Sequence, residues 1–306
     1  MLAEVVRSGL VEARHHGAVA VVGPDGLVVS TGDVERPFYA RSSIKPFQAA
    51  VALEHGAPLV GESLALACAS HAGLPQHLAG VERMLAGAGL GLDDLGTPPA
   101  WPSSPDGRVA LALAGVEAPS PLFHNCSGKH AAALWACVAA GFDTATYLES
   151  DHPLQVAVAE HLSAVCGATP PPPGVDGCGL PAHVVTAVDL ATAWSHLAVA
   201  EAYAPMRSAL CDHPVLIGEP GRVDGVLGTA GLPAKGGAEG CLGVAVPDLG
   251  LGIAIKCWDG SSRPLGPAIA AVLGQLGVAA PTDALAVDVL GRGRPVGTVR
   301  PLVELR

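Results

Sequence analysis

Two short apolar hairpin patterns bracket this chain, and they constrain its fold more than any other feature. GAVAVVG at 17–23 runs into Pro24-Asp25-Gly26 and then LVVST; near the other end, CLGVAV and LGIAIKC flank Pro247-Asp248-Leu249-Gly250. An apolar run, a turn and a second apolar run read as a β-hairpin. Between the hairpins the patterns are helical. SSIKPFQAAVALEHG at 42–56 has a serine start, an early proline and a closing glycine; further helices are predicted over 62–70, 76–88, 129–141, 152–166 and 189–203, with a last one over 263–277. The stretch 98–122 reads as loop with a short helix, and 168–175, with four consecutive prolines, as a rigid loop. Strands from both ends of the chain around a helical middle predict one sheet covered by helices. The fold class expected is therefore α/β, in the sense of an α+β sandwich. No segment marks a boundary, so a single domain over 1–306 is expected, with the helical block at about 42–230.

The chain has 306 residues, ample for a sizeable core. A net charge of −11 without a Lys/Arg cluster argues against a nucleic-acid partner. No apolar run reaches the ~18 residues of a membrane span. The N-terminus lacks the basic start, apolar centre and small-residue cleavage site of a secretory signal, which predicts a cytoplasmic protein. In that setting the eight scattered cysteines are expected as buried thiols or metal ligands rather than disulfides.

Lysine is scarce. Only Lys45, Lys129, Lys235 and Lys256 stand among the seventeen basic residues, and Asn125 is the sole asparagine. Arginine replaces lysine readily where only a surface charge is needed. It cannot replace an amine that must lose its proton, because guanidinium stays protonated. Each lysine is therefore a candidate for chemistry.

Three of the five candidate motifs hold one of these lysines. Ser42-Ser43-Ile44-Lys45 puts a serine and a lysine about one helical turn apart, so that a neutral lysine can take the serine proton. The plain alternative is a capping serine and a surface lysine. Cys68-Ala69-Ser70-His71-Ala72-Gly73 presents a second hydroxyl, Ser70, and an imidazole, His71. His124-Asn125-Cys126-Ser127-Gly128-Lys129-His130 precedes a predicted helix, and Asp176-Gly177-Cys178-Gly179 follows the proline run. Cys126, Lys129 and Cys178 can be read as ligands of one metal or as unrelated buried groups, since lysine is a rare ligand. Ala234-Lys235-Gly236-Gly237 resembles the Lys-Thr/Ser-Gly strand of serine acylases, with Lys256 as competitor for the same role. Cys68, Cys137, Cys166, Cys211, Cys241 and Cys257 are expected in the core.

Taken in order, RSSIKPFQ, CASHAG, HNCSGKHA, DGCGLP, GEPGRVDG, AKGGAEG and IKCWDG resemble the Rhizobium etli-type (class 3, asparaginase II) L-asparaginases. The resemblance implies the serine β-lactamase/glutaminase fold, a mixed sheet flanked by helices with a helical lobe. It also implies a homodimer that hydrolyses L-asparagine to L-aspartate and ammonia. It assigns Ser42 as nucleophile, Lys45 as base, Ser70 as a relay hydroxyl and Lys235 as the strand lysine. Asp176 would take the substrate's α-amino group, with Arg41, His71 and His130 around it. Cys126, Lys129 and Cys178 would hold zinc near the substrate. Ala72 departs from the family, which often has a hydroxyl there. The alternatives are a glutaminase or another serine amidohydrolase of the same fold, and a zinc or amino-acid binding protein without turnover.

Overall fold

The computed structural model describes residues 1–169, 171–219 and 221–306. Pro170 of the proline run and Pro220 of the GEPGRVDG motif lie outside the described residues. Strands β1 (Ala3–Arg7) and β2 (Leu10–His15) are followed by β3 (Gly17–Gly23), β4 (Gly26–Thr31) and the short β5 (Phe38–Tyr39). Six helices come next: α1 (Lys45–Glu54), α2 (Glu62–Cys68), α3 (Pro75–Gly87), α4 (Pro105–Leu113), α5 (Ser127–Ala140) and α6 (Pro153–Cys166). Two-residue strands β6 (Gly174–Val175), β7 (Pro181–Ala182) and β8 (Val184–Val185) lead to α7 (Ala187–Val199), α8 (Ala204–Asp212), α9 (Pro214–Ile217) and α10 (Val223–Thr229). The chain closes with β9 (Ala234–Gly237), β10 (Cys241–Val246), β11 (Leu251–Cys257), α11 (Leu265–Gln275), α12 (Thr282–Leu285), β12 (Asp288–Gly291) and β13 (Arg294–Pro301).

The fold is mixed α/β, and its main sheet is antiparallel in the order β4-β3-β11-β10-β9. As the two hairpins predict, strands from the two ends of the chain meet, with Gly17 of β3 opposite Cys257 of β11. Alternation along each strand sorts side chains by size. Val19, Val21, Leu242, Val244, Ile253 and Ile255 pack with Ile269, Val272 and Leu273 of α11. On the opposite face, Ala18, Ala20, Ala245 and Ala254 join the core of the helical block. Small residues belong there because α7 lies close to the sheet. A Cβ on Gly243 would overlap the indole of Trp194, and one on Gly252 would overlap the backbone of Ala191. Trp194 is fully buried and meets Phe47 of α1 edge-on at 5.9 Å.

Several local expectations are corrected. The helix expected to start at Ser42 starts at Lys45; Arg41–Ile44 is a tight 3-10 turn, with Pro46 in the first turn of α1, where its missing N–H costs nothing. The helix expected to reach Tyr203 ends at Val199 and is followed by a separate 3-10 turn, Glu201–Tyr203. The two end segments form a second sheet, β12-β13-β1-β2, in which Ala3 pairs with Pro301. All eight cysteines are free; seven are buried and Cys211 is half-buried. No helix among the described residues is long and apolar enough to cross a membrane.

Candidate active site

Arg41 has φ +52°, in the left-handed region that non-glycine residues avoid. Strained backbone of this kind persists only where surrounding contacts over-determine it. Those contacts are present: Arg41 Nε donates to Asp176 Oδ1 at 2.9 Å, and Ser43 Oγ donates to the Ala40 carbonyl at 2.6 Å. Ser42 follows Arg41 and lines a cavity of about 510 Å³ together with Ser70, Asn125, Arg222, Asp224 and Glu239.

Lys45 is fully buried. Its Nζ donates to the Ala69 carbonyl, lies 3.1 Å from Ser70 Oγ and 3.4 Å from Cys126 Sγ, and makes no hydrogen bond to Ser42. Burial is the main influence on its amine and holds the pKa below the ordinary lysine value, with Lys129 adding to the effect and the Cys126 sulfur opposing it. Ser70 stands just beyond α2, its N–H donating to the Ile217 carbonyl at 2.8 Å.

Cys126, Lys129 and Cys178 come together although 49 residues separate the last two. Lys129 Nζ donates to Cys178 Sγ at 3.3 Å, and Cys178 Sγ lies 3.8 Å from Asp176 Oδ2. The Cys126 thiol is held well below its ordinary pKa, chiefly by a hydrogen bond from Cys178; burial opposes this and Lys45 assists. Two sulfurs, one already inclined to be thiolate, and one amine make a donor set that fits a thiophilic divalent cation.

The remaining expected binding groups brace this arrangement and do not line the cavity. His71 Nε2 meets Ser127 Oγ at 2.8 Å, tying the CASHAG loop to the HNCSGKH segment. Burial, then the neighbouring His77, pulls the His71 imidazole down to about 3, so it is neutral. His130 of α5 meets Tyr147 Oη, beyond the helix, through Nδ1 at 2.7 Å. Arg41 and Asp176 are paired to each other.

Lys235 is fully buried behind the cavity wall. Its Nζ donates to Asp224 Oδ2 at 2.8 Å and to the Gly236 carbonyl at 2.8 Å. The same Asp224 oxygen accepts from Gly236 N at 3.0 Å and Arg222 Nη2 at 3.3 Å. Burial pushes the Asp224 carboxyl up, but Lys235 and Arg222 overcome it and hold it well below the carboxylate range. Lys256, the competitor, donates to the Glu239 carbonyl and lies 5.6 Å from the Phe38 ring centre. Sequence reasoning named neither Arg222 nor Asp224 as site residues. The signal was inside GEPGRVDG, where a cation and a carboxylate stand two residues apart.

Among solved structures, Mglu crystallised in the presence of 4.3 M NaCl aligns with 17% identity and a TM-score of 0.48, covering 90% of this chain and 65% of its own length. This chain therefore spans less than two thirds of that protein. A beta-lactamase from Mycobacterium bovis aligns with 19% identity and a TM-score of 0.46, covering 85% of this chain and 94% of its own. No curated protein sequence matches. The family model described as L-asparaginase II matches residues 3–301, and with that match over nearly all of its length the chain belongs to the L-asparaginase II family.

Proposed function

We propose that this amidohydrolase releases ammonia from the side-chain amide of L-asparagine through an acyl-enzyme on Ser42. The observation that carries the reading is the shared cavity of Ser42 and Ser70, with buried Lys45 bonded to Ser70 behind it. A neutral amine has two N–H donors and one lone pair. Lys45 Nζ has three partners, the Ala69 carbonyl, Ser70 Oγ and Cys126 Sγ. In the neutral amine that this reading requires, the carbonyl and the sulfur would take the two donors and the lone pair would face the Ser70 hydroxyl.

Ser42 Oγ attacks the amide carbon. Its proton passes through the Ser70 hydroxyl to Lys45 and returns by the same route to the departing nitrogen as the C–N bond breaks. The backbone N–H of Ser42 stabilises the oxyanion, an interaction worth about 3 kcal/mol per donor. Water then attacks the ester, and Lys45 again accepts and returns a proton. Cys126, Lys129 and Cys178 would hold zinc, which would supply a positive charge and Lewis acidity beside this site.

Ammonia release from L-asparagine, with L-glutamine in parallel, tests the proposal. Turnover of asparagine that disappears in Ser42→Ala, with substrate binding retained, is the expected result. An active Ser42→Ala variant would sink the assignment of the nucleophile. Turnover of glutamine alone would move the substrate by one methylene.

A further inference from the structure

We infer that Arg222 receives the α-carboxylate of the substrate and that Asp224 is the positioning residue that aims it. The inference rests on the reading of Ser42 as the reacting group, because it concerns the cavity that Ser42 lines.

Arg222 is the only basic residue among the described residues lining that cavity. The other cations nearby are turned elsewhere. Lys45 and Lys235 are fully buried off the lining, and Arg41 is paired with Asp176. The Arg222 side chain is 35% exposed, whereas its partner Asp224 is 1% exposed. A guanidinium carries five N–H donors in a planar fork. Asp224 takes one nitrogen, at 3.3 Å, which fixes the plane of the fork and leaves donors for a second carboxylate.

Charge supports the same assignment. Arg222, Asp224 and Lys235 together carry one surplus positive charge, so the cluster is not neutralised internally. Gly236 provides the floor: a Cβ there would stand 3.2 Å from Arg222 Nη2 and 3.3 Å from Asp224 Oδ2, narrowing the approach to the fork. Glu219 and Glu239 line the same cavity. A wall with one accessible cation and two carboxylates matches a zwitterionic amino acid, which presents both signs.

The test compares L-asparagine with its α-methyl ester, which lacks the α-charge and still releases ammonia only from the side-chain amide. Calorimetric binding of L-aspartate and its α-methyl ester reads the same contact without turnover. In Arg222→Gln, kcat/KM for asparagine and affinity for aspartate are expected to fall about 10- to 100-fold, mostly through KM, while the esters change little. Asp224→Asn is expected to show the same bias against the free carboxylate, which a purely structural role would not produce. Arg222→Lys, which keeps the charge without the fork, is expected to restore part of the loss. Equal losses on acid and ester, or no loss on either, would overturn the assignment of Arg222 while leaving asparagine turnover standing. A wild-type protein that binds neither amino acid would overturn both readings. If it binds aspartate but turns nothing over, the catalytic reading alone falls, and the binding comparison still decides Arg222.

Discussion

Lys45 Nζ is hydrogen-bonded at 3.1 Å to Ser70 Oγ, 25 positions away, and makes no hydrogen bond to Ser42, three positions away. The spacing that suggests a serine-lysine pair thus places Ser42 on the cavity and the amine behind it, with Ser70 between the amine and the cavity.

Lys45 acts as a base only when deprotonated. Since burial holds its pKa below the ordinary value, kcat/KM should rise with pH and level off below the free-lysine value of about 10.4. In Lys45→Arg the guanidinium stays protonated, and the rate should drop about 10²- to 10⁴-fold. A pH–rate profile of wild type and variant checks both statements.

The Asp224–Lys235 pair contributes to stability as well as to the site. Removing one partner of a buried pair leaves an uncompensated charge, so Asp224→Ala should lose about 3–5 kcal/mol in urea unfolding. The folded carboxyl titrates below its unfolded value. Its contribution is therefore fully present above the unfolded pKa of about 3.9 and is lost as pH falls through the lower folded value. Acid unfolding of wild type should show this loss, and Asp224→Ala should lack that part of it.

Gly237 controls access to the Ser42 backbone. A Cβ there would stand 3.2 Å from Ser42 N and 3.1 Å from the Ala40 carbonyl. Gly237→Ala should lower kcat by about tenfold or more, as expected for a disturbed oxyanion contact, while thermal unfolding stays near wild type. Steady-state kinetics beside a melting curve separates the two effects.

Zinc is expected at about one ion per chain in protein purified without chelator. The Cys126→Ser/Cys178→Ser variant should lose it, because the hydroxyls offer no thiolate. Metal analysis after dialysis reads this directly, whatever the variant does to activity.

Much of the main sheet was legible locally. Apolar runs broken by Pro24-Asp25-Gly26 and by the turn at 247–250 carry their own strand and turn signals, and β3, β10 and β11 appear where those signals put them. The second sheet was not legible, because its pairing of Ala3 with Pro301 leaves no local trace and its strands are half polar. α1 starts at Lys45 and not at Ser42: Pro46 sits in its first turn, and the Arg41–Asp176 pair and the left-handed Arg41 backbone accompany the tight turn over 41–44. The chemical types were written in the chain: a hydroxyl three residues before a scarce lysine, a lone asparagine between a histidine and a cysteine, and a second cysteine flanked by glycines. Their partners were not. Lys45 with Ser70, Lys129 with Cys178, and Asp224 with both Lys235 and Arg222 are contacts made by elements folded together. Local sequence determines which groups are available and which segments are strands or helices, since those depend on neighbours within a turn or two. Only tertiary packing decides which buried charge faces which, because that depends on which distant side chains exclude water from one another.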